Sequence, residues 1–453
     1  MKHLLRFSLI FLLFLNIFAC QQATNPQETT TLKTGTQRQS YVISEINSYN
    51  SGVDSATLNY KYTEMKKNPY NFYRATAHLY YKDLSNGTIA IPGSWKSISN
   101  INTWIMGDLH TGNLGFFSDK DHDIKFGFND YDESYIAPYY FELLRFCVSI
   151  YLLKSETGIS DSQASEIVLS FLNKYRKQLL KKDKDELNKS GLKDNNSTFV
   201  YEKLKKLEDR DKDYQLKKFT KKVNGDRTFD FSNEKLAAVS PSEETAIKNA
   251  WKNYHKNLDP DDDHNDYYKI KSIALRLNSG LGSSGVKKYY VLIEGKSKDN
   301  DNDKILEIKE QKSSVVKLCS FISSYSFTTE ALRVITANKD MAKKEEIYLG
   351  TISFSGKNYS VKLRSRYKFS WDANEFPGVS EIKDFAKMAA IETASCHIRG
   401  SDDAGHFFFN ASFASTAGNA LNTGQISIDK LNELAKQYAL QVNTDYNYFK
   451  NSN

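Results

Sequence analysis

Hydrophobic and polar positions divide the chain into runs of distinct period. Leu4–Phe18 is almost continuously apolar, yet shorter than the roughly 20 apolar residues a spanning helix needs. Gln, Thr and Asn without an apolar period predict a flexible tether over residues 21–40. Ser40 to Ile91 is mixed and includes the aromatic stretch Asn68–Arg74. Ile101–Met106 predicts a short strand feeding Gly107 and Asp108, and Asn113–Phe117 with Lys125–Phe128 predicts a hairpin about the polar turn Ser118–Asp123. Phe141–Leu153 is apolar enough for a buried helix. Mixed charge over 181–265 predicts a solvated helical insertion. Strands are expected at Ile273–Leu277, Lys288–Ile293, Ile305–Lys309, Glu346–Phe354 and Tyr359–Leu363, and helices at Glu381–Ile398 and Ile428–Gln441. An α+β chain results, its helical part split in sequence by a β-rich part, with no internal repeat.

The chain has 453 residues, 40% hydrophobic and 26% charged, with 7 Pro. It can bury a sizeable core, which excludes disordered, collagen-like and low-complexity classes. A net charge of +7 without clustering argues against a nucleic-acid surface, so no nucleic-acid partner is expected. Four Cys make no disulfide scaffold, and no Cys-x-x-Cys pair suggests zinc.

The first twenty residues read as an export signal. Lys2 and Arg6 precede the apolar run, and Ile17-Phe18-Ala19-Cys20 resembles a lipobox, with cleavage leaving Cys20 as a lipidated terminus. Losing Lys2 and Arg6 lowers the charge from +7 to +5. The expected location is the bacterial cell envelope, exported and anchored to the membrane through that lipid. Cys147, Cys319 and Cys396 remain, enough for at most one disulfide; Cys147 and Cys396 lie in apolar runs and read as buried thiols.

Four pieces carry chemistry. The first is Asp108-Leu-His110-Thr-Gly-Asn113, whose Asp-Leu-x-x-x-Asn spacing is that of a kinase catalytic loop. One carboxylate can orient an acceptor hydroxyl while an amide oxygen five residues on reaches phosphate-bound magnesium. The second is Asp130-Tyr-Asp132-Glu133, three acids in four residues after an apolar strand. They repel one another unless a hard cation such as Mg²⁺ joins them. The third is Gly280-Leu-Gly282-Ser283-Ser-Gly285 between two expected strands, a loop able to cover a triphosphate. A strand after it, not a helix, argues against a dinucleotide fingerprint. The fourth is Lys309 on the next strand, where a kinase lysine meets the α- and β-phosphates. Glu330 is a candidate ion-pair partner for it, in competition with Glu310. The glycine loop and lysine follow the catalytic loop here, whereas in an ordinary kinase they precede it. A circular permutation reconciles the order.

These pieces, with Phe72–Arg74, Pro138–Arg145, Arg333-Val334, His397–Arg399, Tyr438–Gln441 and Asp445-Tyr446, resemble the bacterial family catalogued as domain of unknown function 2252. That family is grouped with the protein-kinase-like and aminoglycoside-phosphotransferase superfamily, and the resemblance runs from about Tyr70 to Tyr448. It implies a two-lobed kinase-like fold with residues 41–180 and 369–453 as the helical lobe, 181–265 as the insertion and 266–368 as the nucleotide lobe. It further implies a phosphotransferase using Mg²⁺ and ATP or another nucleotide. Asp108 would be the base, Asn113 and Asp130 metal ligands, and Gly280, Gly282, Ser283, Gly285 and Lys309 the nucleotide site. Asp132 and His110 are further signature positions, grouped with the metal site and the catalytic loop respectively. Ala75, Tyr131, Ala137 and Glu142 depart from the family pattern, Glu142 standing where a shorter Asp supports the catalytic loop.

Three other readings compete. Gly107-Asp108-x-His110 resembles a metallophosphoesterase piece, but His255, His264, His397 and His406 lack the setting its metals need. Asp299, Asp301 and Asp303 mimic a calcium loop, with Lys304 where the turn needs Gly. A catalytically silent surface-binding lipoprotein is the third, because ATP is scarce outside the bacterial cytoplasm. Within the phosphotransferase reading, the acceptor bears a hydroxyl, and nucleotidyl transfer is the variant reaction.

Overall fold

Lys288–Ile293 and Lys304–Glu310 pair antiparallel and are buried on both faces, Lys288, Glu307 and Lys309 being the charged positions on one of them. A computed structural model describes residues 32–452 except 120–121, 186, 255–267, 279, 284, 296–299, 345 and 403–406. The two strands lie at the centre of a six-stranded antiparallel sheet. Its order is Gly350–Phe354, Lys357–Leu363, Lys304–Glu310, Lys288–Ile293, Ile270–Arg276, Leu236–Ala238. Tyr289, Val291, Leu306, Ile308 and Val361 form the oily face, covered by Ile247, Trp251 and Tyr254 of the helix Pro241–Tyr254. Opposite, register pairs Lys288 with Lys309 and Glu307 with Lys362.

The remaining core is helical and aromatic. Tyr140–Leu152 is buried at every position, and it packs with Asp161–Lys181 and Ile428–Lys450, while Val379–Asp402 lies along Asp161–Lys181. A smaller sheet orders Phe369–Ser370, Leu114–Ser118, Ile124–Phe128 and Leu187–Asn188, so the expected hairpin is present. Asn102–Ile105 pairs with Tyr135–Pro138. Among the described residues no helix is long and apolar enough to cross a membrane. Cys147, Cys319 and Cys396 are free and buried.

Two sequence expectations change. The tether expected over 21–40 runs into the helix Gly35–Tyr49. Arg38, Val42 and Ile46 recur every fourth residue on its buried face, and Arg38 pairs with Asp83 and Asp445. A buried arginine in a polar stretch hid that period. The segment 181–265 is not a solvated helical insertion throughout. Phe199–Glu208 buries Val200, Leu204 and Leu207, Thr220–Val223 pairs with Asp226–Phe229, and Leu236–Ala238 joins the main sheet. Its charged letters cover one face while a sparse apolar period fills the other. The export signal over residues 1–20 and Cys20, and also His255, His264 and His406, fall outside the described residues.

Candidate active site

The strand Asn102–Ile105 ends at Gly107, whose φ of +84° turns the chain sharply into Asp108. A Cβ there would lie 2.1 Å from the Glu133 carbonyl oxygen, so only glycine fits. Glu142, fully buried on the apolar helix, accepts the Met106 N–H at 3.0 Å and the Gly107 N–H at 2.9 Å. Its third contact is His397 Nε2 at 2.7 Å, and His397 Nδ1 meets the Tyr175 hydroxyl at 2.8 Å. The longer side chain at this position reaches the loop backbone directly.

Arg145 lies one helical turn beyond Glu142 and fixes Asp108. Its Nε and Nη2 stand 2.7 and 2.5 Å from Asp108 Oδ1, and its guanidinium lies over the Tyr73 and Tyr80 rings. Burial lifts the Asp108 carboxyl to about 6 although Arg145 pulls the other way. Oδ2 is not engaged by Arg145. His110 is buried with Nε2 4.0 Å from that Oδ2, and burial together with Arg74 and Arg145 keeps its imidazole neutral. His110 therefore backs Asp108 without hydrogen-bonding it. Asn113, in the short 3₁₀ turn Thr111–Asn113, donates Nδ2–H to the Asp108 carbonyl at 2.9 Å. Its amide oxygen is left as the atom for the cleft.

Asp130, Asp132 and Glu133 follow the strand Ile124–Phe128 and line the same cleft as Asp108, His110, Asn113, Gly280, Gly282 and Ser283. Lys309 crosses from the sheet to bridge Asp130, at 3.2 Å, and Asp132. Burial opposes ionisation of Asp130, but Lys309, Lys362 and Lys288 outweigh it and hold the carboxyl well below the usual range. Burial and the Asp130 charge raise Asp132. Lys288, driven to about 7 by burial and by Lys309, donates to Ser283 Oγ at 2.8 Å. The glycine loop lies over Asp108: a Cβ on Gly282 would stand 3.1 Å from the Arg74 carbonyl and 3.7 Å from Asp108 Oδ2. Gly285, with φ of +93°, turns the loop against Val53 and does not line the cleft.

Glu330 is not the partner of Lys309. It pairs with Arg333 and Lys317, and Arg333 in turn holds the Ser134 and Asp132 carbonyls. Sequence reasoning offered Glu330 and Glu310 as candidates, whereas the two acids that pair with Lys309 come from a loop 179 and 177 residues upstream. Reasoning from sequence also missed Arg145 as the partner of Asp108. A charged pair, Glu142 and Arg145, inside an otherwise apolar run was the available signal. Tyr49, which lines the cleft from the first helix, carried none.

The donors suit a hard cation. Asp130, Asp132 and Asn113 line the same cleft, and all offer oxygen donors of the type magnesium takes. Among the described residues no group of three His, Cys, Asp or Glu side chains is arranged to hold a metal by itself, so Asn113 would be needed. No curated protein matches the chain. No solved structure matches it. The family described as an uncharacterized protein conserved in bacteria (DUF2252) matches residues 54–452, which takes in every cleft residue except Tyr49, and the chain belongs to that family.

Proposed function

We propose that this protein is a kinase-like phosphotransferase that uses a magnesium nucleotide and a hydroxyl-bearing acceptor. One observation carries the reading: four sequence pieces spread over about two hundred residues line or reach one cleft, with Asp108, Asn113 and Asp130 facing the loop Gly280–Ser283 and Lys309 beside them. The glycine turn joins the first two of three successive strands and Lys309 sits on the third, the arrangement expected of a kinase nucleotide lobe. The helix Val379–Asp402 meets the strand Asn102–Ile105, with Thr103 Oγ1 donating to the His397 carbonyl. That contact supports a circular permutation, since an unpermuted chain would run from this helix into the catalytic loop.

The chemistry follows from the residues. Asp108 Oδ2 orients the acceptor hydroxyl and takes its proton as the oxygen bonds to the terminal phosphorus. The bond from that phosphorus to the bridging oxygen breaks, and the nucleoside diphosphate leaves. A carboxyl near 6 is ionised at neutral pH yet basic enough to share that proton. Asn113, Asp130 and Asp132 would hold magnesium, which would supply charge neutralisation at the phosphates. Lys309, Lys288 and the glycine-loop amides position the donor. Anchoring at Cys20 would place this site at the cell envelope.

Calorimetric titration of Mg-ATP into residues 21–453 lacking Cys20, beside Asp130→Ala, tests the reading. Binding that weakens at least tenfold in the variant supports it. Absence of binding to folded protein, for ATP and GTP alike, overturns it in favour of a surface-binding module.

A further inference from the structure

A second cavity opens behind Asp130, on the charged face of the main sheet, and the proposed chemistry does not use it. Counting its open mouth, it spans about 750 Å³ of empty space. Phe116, Phe117 and Phe128 form an aromatic wall, and Asn129 joins it to the acids of the cleft. Glu307 projects from the sheet two residues before Lys309, on the same face. Its side chain is only 7% exposed, and among the described residues it accepts no hydrogen bond; its ion pair is with Arg364 at 3.8 Å. Buried carboxylates ordinarily accept several hydrogen bonds, and leaving one without costs free energy.

The neighbouring cations are mostly occupied. Lys362 donates to the Asn129 carbonyl at 3.3 Å, and the Arg364 guanidinium rests on the Phe219 and Tyr290 rings. Lys368 is different: its ammonium makes no hydrogen bond or ion pair among the described residues. Lys368 is also the strongest charge acting on Glu307. The cavity thus holds an aromatic wall, a carboxylate lacking donors and an ammonium lacking an acceptor.

We infer that this cavity takes the base of the donor nucleotide and that the base is guanine. Guanine presents a carbonyl oxygen beside two N–H donor positions on one edge, which an ammonium and a carboxylate complement. Adenine places a ring acceptor beside its amino group, so it would set a lone pair against Glu307. The inference rests on the phosphotransferase reading and deepens it by naming the donor.

The test titrates GTP, ITP and ATP, each with Mg²⁺ and without acceptor, into residues 21–453 lacking Cys20. ITP lacks only the 2-amino group. GTP is expected to bind at least tenfold tighter than ATP, with ITP between them, since each hydrogen bond to a charged group is worth about tenfold or more. Glu307→Gln, checked for folding by its thermal transition, is expected to bring GTP and ATP within about threefold of each other. ATP binding as tight as GTP, with Asp130 still required, overturns the guanine assignment and leaves the phosphotransferase reading standing. Binding of none of the three overturns both.

Discussion

Replacing Arg145 by Leu isolates the electrostatics of Asp108. Arg145 is fully buried, pairs with Asp108 Oδ1 at 2.5 and 2.7 Å, and donates to the Tyr73 carbonyl at 3.3 Å. Cutting one partner from a buried pair costs about 3–5 kcal/mol when the other stays charged. Asp108 escapes part of that cost by taking a proton. Its carboxyl stands at about 6 in the folded parent, above its ordinary value of 3.8. Its contribution to stability is therefore full below pH 4 and is lost as pH rises through 6. Without Arg145 the folded value rises further, and each unit adds about 1.4 kcal/mol of destabilisation once the pH exceeds it. Urea unfolding at pH 5 and pH 8, followed by the buried Trp104 and Trp371, measures the difference. The parent–variant gap is expected to widen by at least about 1.4 kcal/mol between the two pH values. A gap independent of pH would refute the coupling between Arg145 and Asp108.

Three further outcomes follow from the geometry. Gly107→Ala drives a Cβ to 2.1 Å from the Glu133 carbonyl at a φ of +84°, so it should lower stability by more than about 3 kcal/mol in a denaturation curve or abolish soluble yield. Gly282→Ala meets no such barrier, since its nearest contact is 3.1 Å; it should weaken nucleotide binding about tenfold in calorimetry while moving the unfolding midpoint little. Cys20→Ser should shift the protein from the membrane pellet to the soluble fraction and abolish labelling by a radioactive fatty acid; unchanged labelling would dismiss the anchor.

The parts of the fold set by local pattern were readable from the sequence. The hairpin Leu114–Ser118 with Ile124–Phe128 and the strands Lys288–Ile293 and Lys304–Glu310 declare themselves through short apolar runs bounded by turn residues. Asp108, Asn113, Asp130 and Gly282 could be named because their spacing matches that of phosphate-handling motifs, and the cleft does bring them together. What escaped depends on distant partners. Lys309 prefers Asp130 and Asp132 to Glu330 because the chain returns those loops to the sheet, which no local window reports. Leu236–Ala238 is three residues of modest β propensity made a strand by the edge it joins. The helix Gly35–Tyr49 hid because its buried face begins with an arginine, satisfied by two acids, one of them near the far end of the chain.

The prop beneath the Asp108 loop has a consequence for biosynthesis. Glu142 meets His397 across 255 intervening steps of chain, which a ribosome takes about 13–50 s to supply at about 5–20 residues per second. Throughout that interval the nascent protein already contains Asp108, Asn113 and Asp130, while the ring that steadies their supporting carboxylate has not been made. A fragment ending before Val379 would include every acid of the cleft and the glycine turn, yet leave Glu142 without its imidazole partner. Premature termination anywhere upstream of this helix should therefore yield an inert product, however complete its motifs look on paper.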